Sequence, residues 1–296
     1  MAALIGGALV LGATPILVRL TSTGPAAAGF WRLAFALPLL LGLAMRGEGG
    51  LKMGRPSAVL LGAGVSFALD LASWHYGIRF TSIANATVLP NLTPVLVTLA
   101  AWFFLREAPR PRFLIGLAAG VLGALVMALA NTGPGPPGAR PHLGDALCAS
   151  TAVWYGLYFL AVRRARADHS TLQVMTWSSL VGLPLLLAIA LALGENILPT
   201  KPWGWAALAG LGAAHVGGQG AIAWALGRLS AATAALVVLI QPVVAAAIAW
   251  WAFGEHLSPL QAMGGVLALG GVAFAQLTGN RAPAIKVEEA NSSVSR

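Results

Sequence analysis

Ten windows of apolar residues, each close to the roughly 20 that a helix needs to cross a bilayer's hydrocarbon core, occupy most of this 296-residue chain. Charged or Pro/Gly-rich breaks bound them at residues 2–20, 24–45, 57–78, 83–105, 111–131, 142–162, 171–193, 203–225, 231–253 and 259–278. Backbone inside a bilayer must satisfy its own hydrogen-bonding groups, so lipid-exposed windows of this length have to be helices. The expected fold class is an all-α integral membrane protein with ten transmembrane spans. The composition agrees, with 58% hydrophobic residues, 9% charged residues and a mean hydropathy of +0.80. The 36 glycines and 18 prolines fit as well, because membrane helices tolerate both better than soluble helices do. The first window has no basic segment before it and reads as span one rather than as a cleaved signal peptide. Cys148 is the single cysteine, which excludes an intrachain disulfide.

The basic residues set an expected orientation. With the N-terminus in the cytoplasm, 13 of the 18 lysines and arginines fall on the cytoplasmic side, among them Arg46, Arg55, Arg106, Arg110, Arg164 and Arg228. Only Arg19, Arg79, Arg140 and Lys201 fall outside, and Arg32 lies within span two. The positive-inside rule then places both termini in the cytoplasm. The net charge of +9 is thereby a matter of topology, and without a basic soluble domain no nucleic-acid partner is expected.

An internal repeat divides the chain. At a constant offset of 148 residues, Ser82, Pro94, Val95, Trp102, Glu107, Pro111, Gly116 and Gly123 are matched by Ser230, Pro242, Val243, Trp250, Glu255, Pro259, Gly264 and Gly271, without a gap over 42 positions. Small apolar residues match by chance in such a chain, but Pro, Trp, Glu and Pro at fixed spacing do not. The expected division is a first five-span repeat at 1–131, a linker at 132–141, a second repeat at 142–279 and a disordered cytoplasmic tail at 280–296. Five spans per half is an odd number, so the second half inserts upside down. Secondary transporters are commonly built this way, with the substrate site near mid-membrane between the halves.

The ten-span plan, the Pro-Val core of spans four and nine, the glutamates Glu107 and Glu255 thirteen residues later and the glycine-bearing spans five and ten resemble the EamA-type drug/metabolite transporter superfamily. Within it, the length and the aromatic-rich spans are similar to bacterial exporters of aromatic and other neutral amino acids. The resemblance implies an export carrier with a central cavity lined mainly by spans one, three, four, six, eight and nine.

Span four contains "VLPNLTPVL", residues 88–96. An interior proline removes a helix hydrogen bond and clashes with the preceding turn, so Pro90 and Pro94 should kink this span, and Pro242 should do the same in span nine. Irregular backbone at that depth is tolerated beside protein or a watery cavity, so the segment reads as a cavity wall and the three prolines as gates. Asn91 and Gln241 offer amide groups suited to a zwitterion; the alternative is that they hold helices together.

Asp70 is the one carboxylate well inside a span, and it shares a depth with Arg32. A buried ion pair is the favoured reading of the two, with proton coupling or binding of a substrate amine as the alternative. His215 and Gln219, four apart in span eight, and His75 in span three are candidates for substrate contact or coupling, against a packing role. Trp154, Tyr155 and Tyr158 in span six and Trp74 in span three could form an aromatic wall or simply pack. Trp31, Trp203, Trp205 and Trp251 belong to interfacial belts. Glu107 and Glu255 read as helix-end anchors.

No phosphate-binding loop, voltage-sensor pattern or metal-ligand cluster is present in the sequence, so no cofactor is expected and an ATP-driven pump is disfavoured. The expected protein is not an enzyme but a multi-pass inner-membrane carrier working by alternating access. Its partners would be a small-molecule substrate and lipids, and a monomer is the working expectation. Proton antiport of other metabolites or drugs is the alternative, and an intramembrane lipid-modifying enzyme a more remote one.

Overall fold

In the computed structural model of the chain, the described residues are 2–46, 55–93, 110–130, 139–165, 168–221 and 239–278. Every regular element among them is helical. Prolines open five of the helices: α3 (Pro25–Arg46), α6 (Pro111–Leu129), α7 (Pro141–Ala165), α9 (Pro202–Ala214) and α11 (Pro259–Thr278). The first residues of a helix have no intrahelical partner for their N–H groups, so proline costs nothing there. Serines cap helix starts as well, Ser82 at the short helix Ile83–Val88 among them. Ser57 caps α4 (Ala58–Phe80), and Ser170 and Gln173 form a reciprocal capping box at α8 (Thr171–Ala192). Ser258 and Gln261 exchange the same two bonds, at 3.0 and 3.1 Å, around the start of α11.

Five helical stretches are long and apolar enough to cross a membrane: Ala2–Leu20, Pro25–Met45, Ala58–Phe80, Pro141–Val162 and Thr171–Ala192. The first consists of α1 (Ala2–Gly12) and α2 (Thr14–Leu20). Large apolar side chains face outward, with Leu129 72%, Val266 74% and Trp251 83% exposed, whereas alanine dominates the buried positions. Small residues inside let helix backbones approach closely, which is the packing mode available where lipid is as apolar as the core.

The closest such approach is α6 against α11. A Cβ added to Gly116 would lie 2.7 Å from the Gly271 carbonyl oxygen, and one added to Gly264 would lie 2.8 Å from that of Gly123. The two contacts exchange when each residue is replaced by its repeat equivalent. Elsewhere α3 packs on α8 and α4 on α7, while α9 packs on α2 and the turn that follows it packs on α1.

One end of the bundle is stitched by three carboxylates from the second half acting on the first. Glu195 accepts from the N–H groups of Ala26 and Ala27, at 3.2 and 2.8 Å, and from the Tyr76 hydroxyl. Asp145 accepts from Thr81 Oγ1 at 2.6 Å and Asn85 Nδ2 at 3.0 Å. Glu255 accepts from the N–H of Ile83, the first residue of α5 (Ile83–Val88), at 2.9 Å and pairs with Arg19. Arg19 also donates to the Thr81 carbonyl at 2.6 Å. The helix-end anchoring expected of Glu255 is thus exerted on neighbouring elements rather than on its own helix, α10 (Ile240–Phe253). Glu107, its repeat equivalent, lies outside the described residues.

Candidate functional site

Two helices break where they meet the centre of the bundle, and a proline accounts for each break. Pro15 cannot donate to the carbonyl of Leu11, four residues back; the hydroxyl of Thr14 does so instead at 2.7 Å, across the gap between α1 and α2. After α5 the chain tightens into a 3₁₀ turn, Leu89–Leu92. Pro90 leaves the Ala86 carbonyl without an N–H, and the indole Nε1 of Trp74 donates to it at 2.8 Å. Asn91 Nδ2 donates to the Thr87 carbonyl at 2.7 Å, and Thr93 Oγ1 to the Pro90 carbonyl at 2.7 Å. Pro90 is four residues before Pro94, so this last bond serves the carbonyl that a proline at 94 leaves free; Pro94 itself lies outside the described residues. The polar residues of "VLPNLTPVL" therefore serve its own backbone.

That arrangement predicts a coupling between Trp74 and Pro90. Trp74→Phe strands a buried carbonyl, which costs about 1–3 kcal/mol. In a Pro90→Ala background the new N–H can reach the Ala86 carbonyl, and Trp74→Phe should then cost about 1 kcal/mol less. Thermal unfolding of the wild type, both single variants and the double variant measures this; strictly additive shifts would refute it.

The broken segments border a cavity of about 140 Å³. Gly12 and Thr14 contribute from the first break, and Thr87, Pro90 and Asn91 from the second. α4 presents Phe67, Asp70, Leu71 and Trp74, the i, i+3, i+4 and i+7 positions of one helical face. Arg32 comes from α3, Thr151 and Tyr155 from α7, Gln219 from the π-helical turn His215–Gln219 after α9, and Gln241 from α10. Both halves of the chain thus supply walls.

Of the residues expected at a site, the structure brings together Arg32, Asp70, Trp74, Pro90, Asn91, Tyr155, Gln219 and Gln241. Arg32 and Asp70, expected as an ion pair, both line the cavity and attract each other, without the direct contact that Arg19–Glu255 and Arg164–Asp168 make. Neither Arg32 nor Asp70 makes a hydrogen bond to another described residue, and Arg32 Nε is buried without a partner although Arg32 is only 4% exposed. Trp154 does not reach the cavity; its neighbour Tyr155 does. Tyr158 packs on Phe67 with ring centres 4.8 Å apart, and His215 stacks behind the same Phe67 at 5.3 Å. His75 is fully buried, with Nδ1 3.0 Å from the Pro25 carbonyl, one residue off the cavity face. Pro242 falls in the first turn of α10, and the residues of its expected span before Leu239 lie outside the described ones.

Thr14–Pro15, Phe67, Thr87 and Thr151 were missed in the sequence. Helical spacing could have found three of them. Phe67 lies three before Asp70, Thr151 four before Tyr155 and Thr87 four before Asn91. The Thr-Pro pair at 14–15, the same dipeptide as at 93–94, was the overlooked mark of the first break.

Comparison with known proteins places this architecture. The pattern of the EamA-like transporter family matches residues 1–129 and 142–276. An uncharacterized transporter of Archaeoglobus fulgidus is 26% identical over 275 residues, covering 93% of this chain and 95% of its own. The pseudopaline exporter CntI of Pseudomonas aeruginosa is 29% identical, covering 80% and 81%. A probable terminal-alkyne amino-acid exporter of Streptantibioticus cattleyicolor is 28% identical, covering 73% and 71%. A solved crystal structure shares the fold with a TM-score of 0.68 at 20% identity, covering 95% of this chain and 98% of its own.

Proposed function

Because this chain belongs to the EamA-like transporter family, a family of membrane carriers and not of enzymes, we propose that it exports aromatic and other neutral amino acids by alternating access. The observation that carries the reading is the cavity, which takes its walls from both halves and from the two broken helices. Discontinuous helices at the interface of two repeats are where secondary transporters bind substrate. A volume of about 140 Å³ is below the several hundred Å³ of drug-sized sites and favours a compact metabolite. Trp74, Phe67 and Tyr155 offer ring faces, while Asn91, Gln219 and Gln241 offer amides beside them. Relatives named for the export of pseudopaline and of a terminal-alkyne amino acid support the amino-acid class.

The ten-span plan with inverted halves belongs to the same proposal and is supported by the exchange-symmetric contacts of α6 with α11. With both termini cytoplasmic in an inner membrane, the end stitched by Glu195, Asp145 and Glu255 is the outer one, and the breaks at Pro15 and Pro90 are the gates, with Pro94 and Pro242 as further gate prolines. Flux of labelled phenylalanine, tryptophan and leucine through proteoliposomes, with lysine as control and with or without a pH gradient, tests this. Saturable movement of the neutral species is the expected result. Absence of movement for all three would overturn the amino-acid assignment, and dependence on the gradient would mark the carrier as a proton antiporter.

A further inference from the structure

Arg32 and Asp70 are opposite charges lining one cavity; they attract each other across it, but neither makes a direct ion pair or hydrogen bond with the other or with another described residue. Intramembrane charges are costly, and native bundles pair them or turn them towards water. Here the guanidinium is almost wholly enclosed, with Nε unpartnered, and it borders the cavity. We propose that the cavity is a dipolar clamp: Arg32 takes the carboxylate and Asp70 the ammonium of one α-amino acid, so that the substrate completes the ion pair that the protein leaves open.

The geometry of the neighbours fits that division of labour. A guanidinium offers a planar fork matched to a carboxylate. Asp70 and Trp74 stand four apart on one face of α4, so an ammonium on Asp70 sits beside the indole face. The indole N–H is already bonded to the Ala86 carbonyl, so Trp74 presents an apolar surface rather than a donor. A neutral side chain therefore has a place beside the head group, and a second charge would have none. The inference rests on the transporter reading for its meaning, but binding can be measured without transport.

The test is thermal unfolding of the purified full-length protein in detergent, with increasing L-phenylalanine, L-phenylalaninamide, which keeps only the ammonium, or N-acetyl-L-phenylalanine, which keeps only the carboxylate. Phenylalanine should raise the unfolding midpoint at concentrations about tenfold lower than either analogue, the factor lost with one charge-assisted hydrogen bond. Asp70→Asn should abolish the advantage over the N-acetyl compound, and Arg32→Gln the advantage over the amide. Equal protection by all three compounds, or by none, overturns the clamp, and this arm needs only the wild type if a variant does not fold. Protection confined to phenylalanine without flux in liposomes would sink the transport reading and leave the clamp standing. Flux of phenylalanine that both analogues inhibit as strongly as unlabelled phenylalanine does would do the reverse.

Discussion

Gly123→Leu will leave no folded protein. A Cβ at this position would lie 2.6 Å from the Gly264 carbonyl oxygen and press on the backbone of Ala268. Backbone cannot rotate away as a side chain can, so α6 and α11 would have to separate along their whole crossing. That loss exceeds about 4 kcal/mol, the range reached only by gross mispacking. Gly271→Leu should behave alike, since its Cβ would meet Gly116 O at 2.7 Å. Gly270→Ala is the control on the same helix: nothing lies within 4 Å of its added Cβ, and alanine favours helix by up to about 1 kcal/mol over glycine. Size-exclusion profiles after extraction check the set. A monodisperse peak for Gly123→Leu at wild-type yield would show that the crossing is looser than described.

Glu255→Ala will have the next largest effect. One carboxylate there holds Arg19 of α2 and the first N–H of α5, and its side chain is only 20% exposed, Arg19's 10%. Removing one partner of a largely buried pair strands the other charge, at a cost of about 3 kcal/mol. The unfolding midpoint should fall by about 5–10 °C. Arg19→Ala should cost about as much, and the double variant clearly less than the sum of the two, because the shared pair can be lost only once. Fully additive losses would mean that the two side chains act independently. Glu255→Gln separates the two duties, since its amide oxygen can still accept from Ile83 while the attraction to Arg19 is gone.

Much of the architecture was legible before any coordinates. Pro25, Pro111, Pro141, Pro202 and Pro259 each open a helix, and the Ser-x-x-Gln runs at 170–173 and 258–261 are capping signals readable by eye. Family membership followed from the spacing of Pro, Trp, Glu and Gly in the two halves. Half of the site was legible too, because a charged or amide side chain in an apolar helix has few places to go: Arg32, Asp70, Asn91, Gln219 and Gln241 all reach the cavity.

What failed was the choice among neighbours. Tyr155 lines the cavity and Trp154 does not; Trp74 lines it and His75 turns to the Pro25 carbonyl. No local pattern marks the acids Glu195 and Asp145, yet each reaches across to the other half of the chain. Hydropathy along one dimension carries helix length, helix starts and membrane residence, since these depend on local hydrogen bonding and on transfer from water. Which face of a helix points inward depends on its rotation about its own axis. In a soluble protein an apolar stripe records that rotation, but lipid and protein core are equally apolar, so here the packing of small residues such as Gly116, Gly123, Gly264 and Gly271 settles it.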